Sequence, residues 1–194
     1  AGLGIMTREL RMAGYDPIKN DSVTMDFSDP GPSTMTFRAD LNGDGDALGT
    51  SPDETITYAL NGTNLERNGV VIAEGIDRLA FAYAYDNDAD GALDRDGGGN
   101  IIFAIAGNNG LGPLDSTVTW YQVAADGSTT NTTTLADGAE IRAVRVWLLA
   151  QTNEVDPNFT NSADYVVGSL ATTPGDQRRR RLLDTVIHFR NMGI

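Results

Sequence analysis

The stretch from Ile76 to Tyr85 constrains the fold more than any other part of the sequence. Leu79, Phe81, Tyr83 and Tyr85 alternate with Ala80, Ala82 and Ala84. Successive side chains of a strand point to opposite faces, so one face carries large residues and the other a row of methyl groups. The large face must fill a core. The alanine face admits the close approach of another backbone, and the N-terminal helix is the expected occupant.

That helix is read from residues 3 to 13. Leu3, Met6, Leu10 and Ala13 recur at spacings of three and four and form one apolar stripe, away from Arg8 and Arg11. Gly14 suits the position just past a helix end, and Pro17 prevents resumption. So short a helix is marginal in water and needs a surface to pack on. The chain opens at Ala1 directly in this pattern, with no cap before it, and is expected to be processed or trimmed.

Beyond Pro17 the apolar period becomes two. Val23 to Phe27 and Thr34 to Arg38 read as strands around a Ser-Asp-Pro-Gly-Pro turn. Glu54 to Leu60, Asn64 to Arg67 and Val70 to Ala73 follow as a meander, with hairpin signals at Asn61-Gly62 and Asn68-Gly69. Further strands are expected at Ile101 to Ala106, Thr117 to Ala124, Ile141 to Gln151 and Arg178 to Arg190. Residues 125 to 134 and 152 to 177 read as polar loops. The fold class is α+β and mostly β: an N-terminal helix (1–16) packed on the antiparallel sheet of one globular domain (17–194).

The 194 residues carry a formal net charge of −13, which argues against nucleic acid as partner. There is no cysteine and a single histidine, His188, so thiol chemistry and histidine-rich metal centres are excluded. No apolar run reaches the roughly 18 residues of a membrane span.

Acidic residues instead gather where an ion would use them. From Asp86 the chain reads D-N-D-A-D-G-A-L-D, with carboxylates at positions one, three, five and nine and glycine at six. Calcium takes six to eight hard oxygens, and such spacing lets alternate side chains converge while the glycine allows a sharp turn. The expected ligands are Asp86, Asp88, Asp90, the carbonyl of Ala92, and Asp94, with Asp96 in reserve. Position twelve is Gly97 and a strand enters the loop, so this is an EF-hand-like loop without the flanking helices. Asp40, Asn42, Asp44 and the carbonyl of Asp46 repeat the start of this spacing as a second candidate site, with Asp53 and Glu54 close behind. Turns are also rich in Asp, Asn and Gly without any ion, but the five acids between 86 and 96 repel one another unless a cation is present.

Other signals read as structural. The run Arg178 to Arg181 is a charged strand end before it is a docking patch, and His188 has no catalytic neighbour in sequence. The triplets at Asn61, Asn131 and Asn158 match glycan sequons, that at Asn61 being a hairpin turn. No nucleophile–base constellation supports an enzyme.

Several segments together resemble minor pilins of the PilW type from bacterial type IV pili. Met6-Thr-Arg-Glu-Leu-Arg-Met-Ala-Gly-Tyr-Asp-Pro17 looks like the end of that family's first helix. Thr55 to Arg67 is similar to its following hairpin, Ile76 to Tyr83 and Ile141 to Ala150 to its central strands, and Arg179 to Gly193 to its C-terminal strand. The resemblance implies a pilin-like, noncatalytic protein whose residues 1–16 end a stalk helix. The missing apolar half of that helix would anchor it in the inner membrane, its only link to the membrane. The head would stand in the periplasm and later in the extracellular pilus. Partners would be other minor pilins and the major pilin, in priming or capping a pilus. Two alternatives are a J-type pseudopilin of type II secretion, similar in plan, and a calcium-dependent adhesion or glycan-binding module.

Overall fold

The computed structural model describes residues 2–16, 27–30, 33–45, 54–106, 120–131 and 140–192. Helix α1 (Gly2–Leu10) buries Gly2, Met6 and Leu10; of the stripe expected from the sequence Met6, Leu10 and Ala13 are buried, while Leu3 is half-buried and Gly2 takes the innermost place in the first turn. A five-stranded antiparallel meander follows, in the spatial order β1 (Phe27–Pro30), β2 (Thr34–Arg38), β3 (Thr55–Asn61), β4 (Asn64–Arg67) and β5 (Val70–Glu74). The second sheet is built around β6 (Ile76–Tyr85) and β10 (Ile141–Gln151), with β13 (Arg180–His188) outside β10. On the other side of β6 come β7 (Ala104–Ala106), β8 (Trp120–Val123) and β9 (Thr129–Asn131). A separate hairpin pairs β11 (Tyr165–Val167) with β12 (Leu170–Thr172). Among the described residues no helix is long and apolar enough to cross a membrane.

One core lies between the two sheets and α1. Met6, Leu10 and Ala13 share it with Met35, Phe37, Ile56, Tyr58 and Leu65 of the meander and with Leu79, Phe81, Tyr83 and Tyr85 of β6. Register explains the match across the second sheet. Val144, Val146 and Leu148 stand opposite Tyr83, Phe81 and Leu79, and Ile187 and Leu183 stand opposite Val144 and Leu148. Each such large side chain, fully buried, contributes about 1.5–3 kcal/mol.

The helix therefore lies on the large face of β6, and the expectation that it covers the alanines is corrected. Its three-membered stripe needs wide aromatic and aliphatic surface, which the alanine row cannot supply. The alanine face instead receives bulk from its neighbours. Ala80 and Ala82 pair with Trp147 and Arg145, and a second core joins Ala82 to Val123, Trp147, Leu149 and Val167. The β11–β12 hairpin is the backbone that comes close: a Cβ added to Gly168 would stand 2.8 Å from the Cβ of Ala80.

Polar contacts fix the helix to the meander. Glu9 receives hydrogen bonds from the buried Tyr58 hydroxyl (2.6 Å) and from Arg67 Nε (2.8 Å). Burial, then the hydrogen bond to the Glu9 carboxylate, pushes the Tyr58 phenol well above its ordinary pKa. The helix expected to reach residue 13 ends at Leu10 and continues as turns closed by the Met12 and Ala13 amides, after which Gly14 (φ 74°) redirects the chain and its amide reaches the carbonyl of Arg38 at 3.0 Å.

Four local expectations change. Ser28 to Pro30 belongs to β1 and not to a turn, being paired with β2. The Ile101 to Ala106 strand shortens to β7, with Ile101 held only by a bridge to Arg95. Residues 125 to 134 contain β9, because Asp126 caps the turn through the Ser128 amide and the β-branched threonines then pair with β8. Residues 152 to 177 contain the β11–β12 hairpin, whose three-residue strands are too short to show a period. Buried Asn161 organises that segment by donating to the carbonyl of Arg178 and taking the Ala163 amide. The segment around Val23 lies outside the described residues.

The arginine run is mainly a set of staples. Arg178 donates to the carbonyls of Thr152 and Asn153. Arg179 pairs with Asp156 at 2.7 Å and stacks over Phe159. Arg180, its side chain 5% exposed, bridges Asp77 and Asp176. Arg181 is exposed, as is His188. Hydrogen bonds from the Arg180 side chain and the Arg178 amide pull the Asp176 carboxyl down to about 2.

Two outcomes follow. Gly168→Ala adds a methyl against Ala80 at a residue whose φ is 61°, and is expected to cost about 1–3 kcal/mol in a urea titration; an unchanged midpoint would mean the hairpin is not seated there. A carboxyl lowered in the folded state stabilises above its ordinary pKa and loses that contribution as pH falls through the folded value. The melting-temperature gap between native protein and Asp176→Asn should thus be open at neutral pH and close between 3.8 and about 2, whereas a pH-independent gap would contradict the assignment.

Candidate metal centre

Both aspartate loops start at the end of a strand, and both start with a buried carboxylate. Asp86 follows β6 and is 3% exposed; Asp40 follows β2 and is 0% exposed. Each uses its two oxygens to hold its loop in the same way. Asp86 takes the amides of Asp90 and Gly91, both at 3.1 Å. Asp40 takes those of Gly43 (2.6 Å) and Gly45 (2.9 Å). Backbone amides replace the lost water around each buried carboxylate. Every carboxylate oxygen has a second lone pair, so these bonds leave acceptor capacity facing the loop interior.

In the first loop the carboxylates of Asp86, Asp88 and Asp94 lie within 4.8 Å of one another. Asp94 is placed by its own backbone, its amide donating to Tyr85 and its carbonyl accepting from Ile102. Burial raises the Asp94 carboxyl above its ordinary pKa, the Asn87 amide opposes this, and the charges of Asp88, Asp86 and Asp90 add to the rise. Asp90, expected as a ligand, is not in this group; its carboxylate is turned onto the Ala92 amide at 2.8 Å. Asp96 serves a different turn. It accepts from the amides of Gly98 and Asn100, which lower its pKa, and it does not join the three. Ala92 sits beside them in the same concave loop surface.

In the second loop Asp40 and Asp44 converge with Glu54, again within 4.8 Å. Asn42 ties itself to Asp44 through both ends of its amide, accepting from the Asp44 N–H and donating to its Oδ2. Asp46 lies outside the described residues. Glu54 was noted in the sequence only as a nearby acid. The β2–β3 hairpin register shows why it belongs: Arg38 stands opposite Thr55, and the Ala39 amide donates to the Glu54 carbonyl at 3.0 Å. The residue just before β3 must then face the loop just after β2.

The donor set in both loops is oxygen only. Hard carboxylate oxygens suit calcium or magnesium, not zinc or copper. Three converging carboxylates can hold a divalent ion, with loop carbonyls and water completing the six to eight ligands calcium takes. Each cluster consists of carboxylates alone, with no histidine among them.

Comparison with known proteins gives the family. A family model described as Type IV Pilus-assembly protein W matches residues 50–191, more than half of the chain. No curated protein matches it. The fold is similar to that of a type IV-like pilin from Thermus thermophilus, 14% identical with a TM-score of 0.51, over 99% of this chain and 94% of that one. At such identity the likeness speaks for the fold, a short N-terminal helix before antiparallel sheets. The helix packed between two sheets and the match from β3 through both central strands to β13 lead to one conclusion: this chain belongs to the type IV pilus-assembly protein W family, a noncatalytic structural family, and has a pilin-like fold.

Proposed function

We propose that this protein is a minor pilin that takes part in priming or capping a type IV pilus. In this reading residues 1–16 end the stalk helix and residues 17–194 form the head. It is held first in the bacterial inner membrane with its head in the periplasm and then carried into the extracellular pilus. Its partners are other minor pilins and the major pilin. The observation that supports this most is the family match over residues 50–191. The burial of Met6 and Leu10 between the sheets adds a mechanical reason, because force along the helix reaches the head through that core. Deleting the gene is expected to reduce surface pili, with recovery by the native allele and not by Leu10→Asp, which uncouples helix from head. Undiminished pili in the deletion strain, or a defect confined to type II secretion, would contradict the reading.

We also propose that calcium occupies the loop of Asp86, Asp88 and Asp94, and that the loop of Asp40, Asp44 and Glu54 is a second site. The convergence of the Asp86, Asp88 and Asp94 carboxylates supports this, since a cation would offset the repulsion among them. An ion bound only by the folded state stabilises it by about 2.7 kcal/mol when present at 100 times its dissociation constant. Calcium should therefore raise the melting temperature relative to chelator. The paired change Asp88→Asn and Asp94→Asn should remove the first loop's share of that rise, and adding Asp44→Asn should abolish the remainder, while leaving the chelated protein no less stable. An unchanged melting temperature at saturating calcium would defeat the proposal.

A further inference from the structure

Arginines in this protein are mostly spoken for. Arg67, Arg145, Arg179 and Arg180 pair with carboxylates. Arg8, Arg11 and Arg190 do not. All three are exposed, and among the described residues none of them forms an ion pair. Glu9, the acid nearest to them on α1, is turned the other way onto Arg67 and Tyr58. The three arginines line one open groove of about 520 Å³, together with the half-buried Leu3 and Thr7 of α1 and Met12 of the turn that follows it. The fold thus gathers three uncompensated cations around an apolar strip, in a chain whose formal net charge is −13.

We propose that this groove is a docking site for an acidic, amphipathic segment of a partner protein. Carboxylates of that segment would pair with Arg8, Arg11 and Arg190 while its apolar side chains cover Leu3 and Met12. Charge complementarity decides the chemistry. Guanidinium groups take carboxylates in bidentate geometry, and Arg8 of α1 and Arg11 of the turn that follows it both open onto the groove. The same arginines could meet an anionic lipid surface, but a flat bilayer would also meet the rest of a strongly acidic molecule and be repelled. A narrow acidic segment feels mainly the local field, because charges beyond about 10 Å are screened at 0.1 M salt.

The test uses a fluorescent helical peptide patterned with Glu and Leu, its Glu→Lys counterpart, and phosphatidylglycerol vesicles, each titrated against the whole chain. The acidic peptide is expected to bind and the Lys peptide not to. The double variant Arg8→Glu with Arg11→Glu should weaken acidic-peptide binding about tenfold or more and take up the Lys peptide instead. Arg181→Glu, an exposed arginine outside the groove, should change binding less than about twofold. All the changed residues are exposed, and an unaltered melting temperature confirms folding. Equal loss from Arg181→Glu, failure of the charge swap, or binding to vesicles without binding to the peptide would each overturn the proposal. The assay involves no pilus, so its failure leaves the minor-pilin reading untouched.

Discussion

The structure depends on one apolar contact: the stripe of Met6, Leu10 and Ala13 entering the space between two antiparallel sheets. Neither sheet can close that core alone. The meander offers Phe37, Ile56 and Tyr58, and the second sheet offers Phe81, Tyr83 and Val146. A nine-residue helix would not persist in water by propensity. Here its stability comes from burial, and the Glu9 carboxylate sets its rotation by holding Tyr58 and Arg67. A half-buried ion pair is weak as a source of stability, but removing one partner would strand the Tyr58 hydroxyl, so the latch specifies orientation more than it adds affinity.

The acidic loops depend on that core indirectly. Each hangs from the end of a core strand, and each is tied to it by a carboxylate that the fold has removed from water. Amide bonds to Asp40 and Asp86 set the first turn of each loop before any ion is considered. The remaining carboxylates are brought together, and Asp94 is raised first by its burial and then by the charges of Asp88, Asp86 and Asp90. A structural protein gains from such a device, because an ion bound there would stiffen a surface loop without touching the core. Chemistry in the catalytic sense has no place in it, which fits the family to which the chain belongs.

Long periodic elements were legible in the sequence and short ones were not. The bounds of β6 and β10 were read to the residue, since ten or more positions of alternation overwhelm local noise. The helix stripe was equally plain. What the sequence could not show was which face of β6 the helix covers, because that depends on what Trp147 and the Gly168 turn do on the far side. The β9 and β11–β12 strands were hidden by their length of three residues. In the loops, spacing named Asp86, Asp88, Asp90 and Asp94 alike; the fold brings the carboxylates of Asp86, Asp88 and Asp94 together, while the Asp90 side chain turns to its own backbone two residues on. Glu54 needed the register of a hairpin, a long-range fact that spacing within one loop does not contain.

The central claim is that α1 is an integral part of the core and not an appendage resting on it. Native-state hydrogen exchange of the amides from Met6 to Leu10 tests this most directly. If the account is right, those amides exchange only through global unfolding, with the same free energy of opening as Phe81 and Val146 in the central strands. Rapid exchange of the helix amides while the sheet stays protected would contradict it.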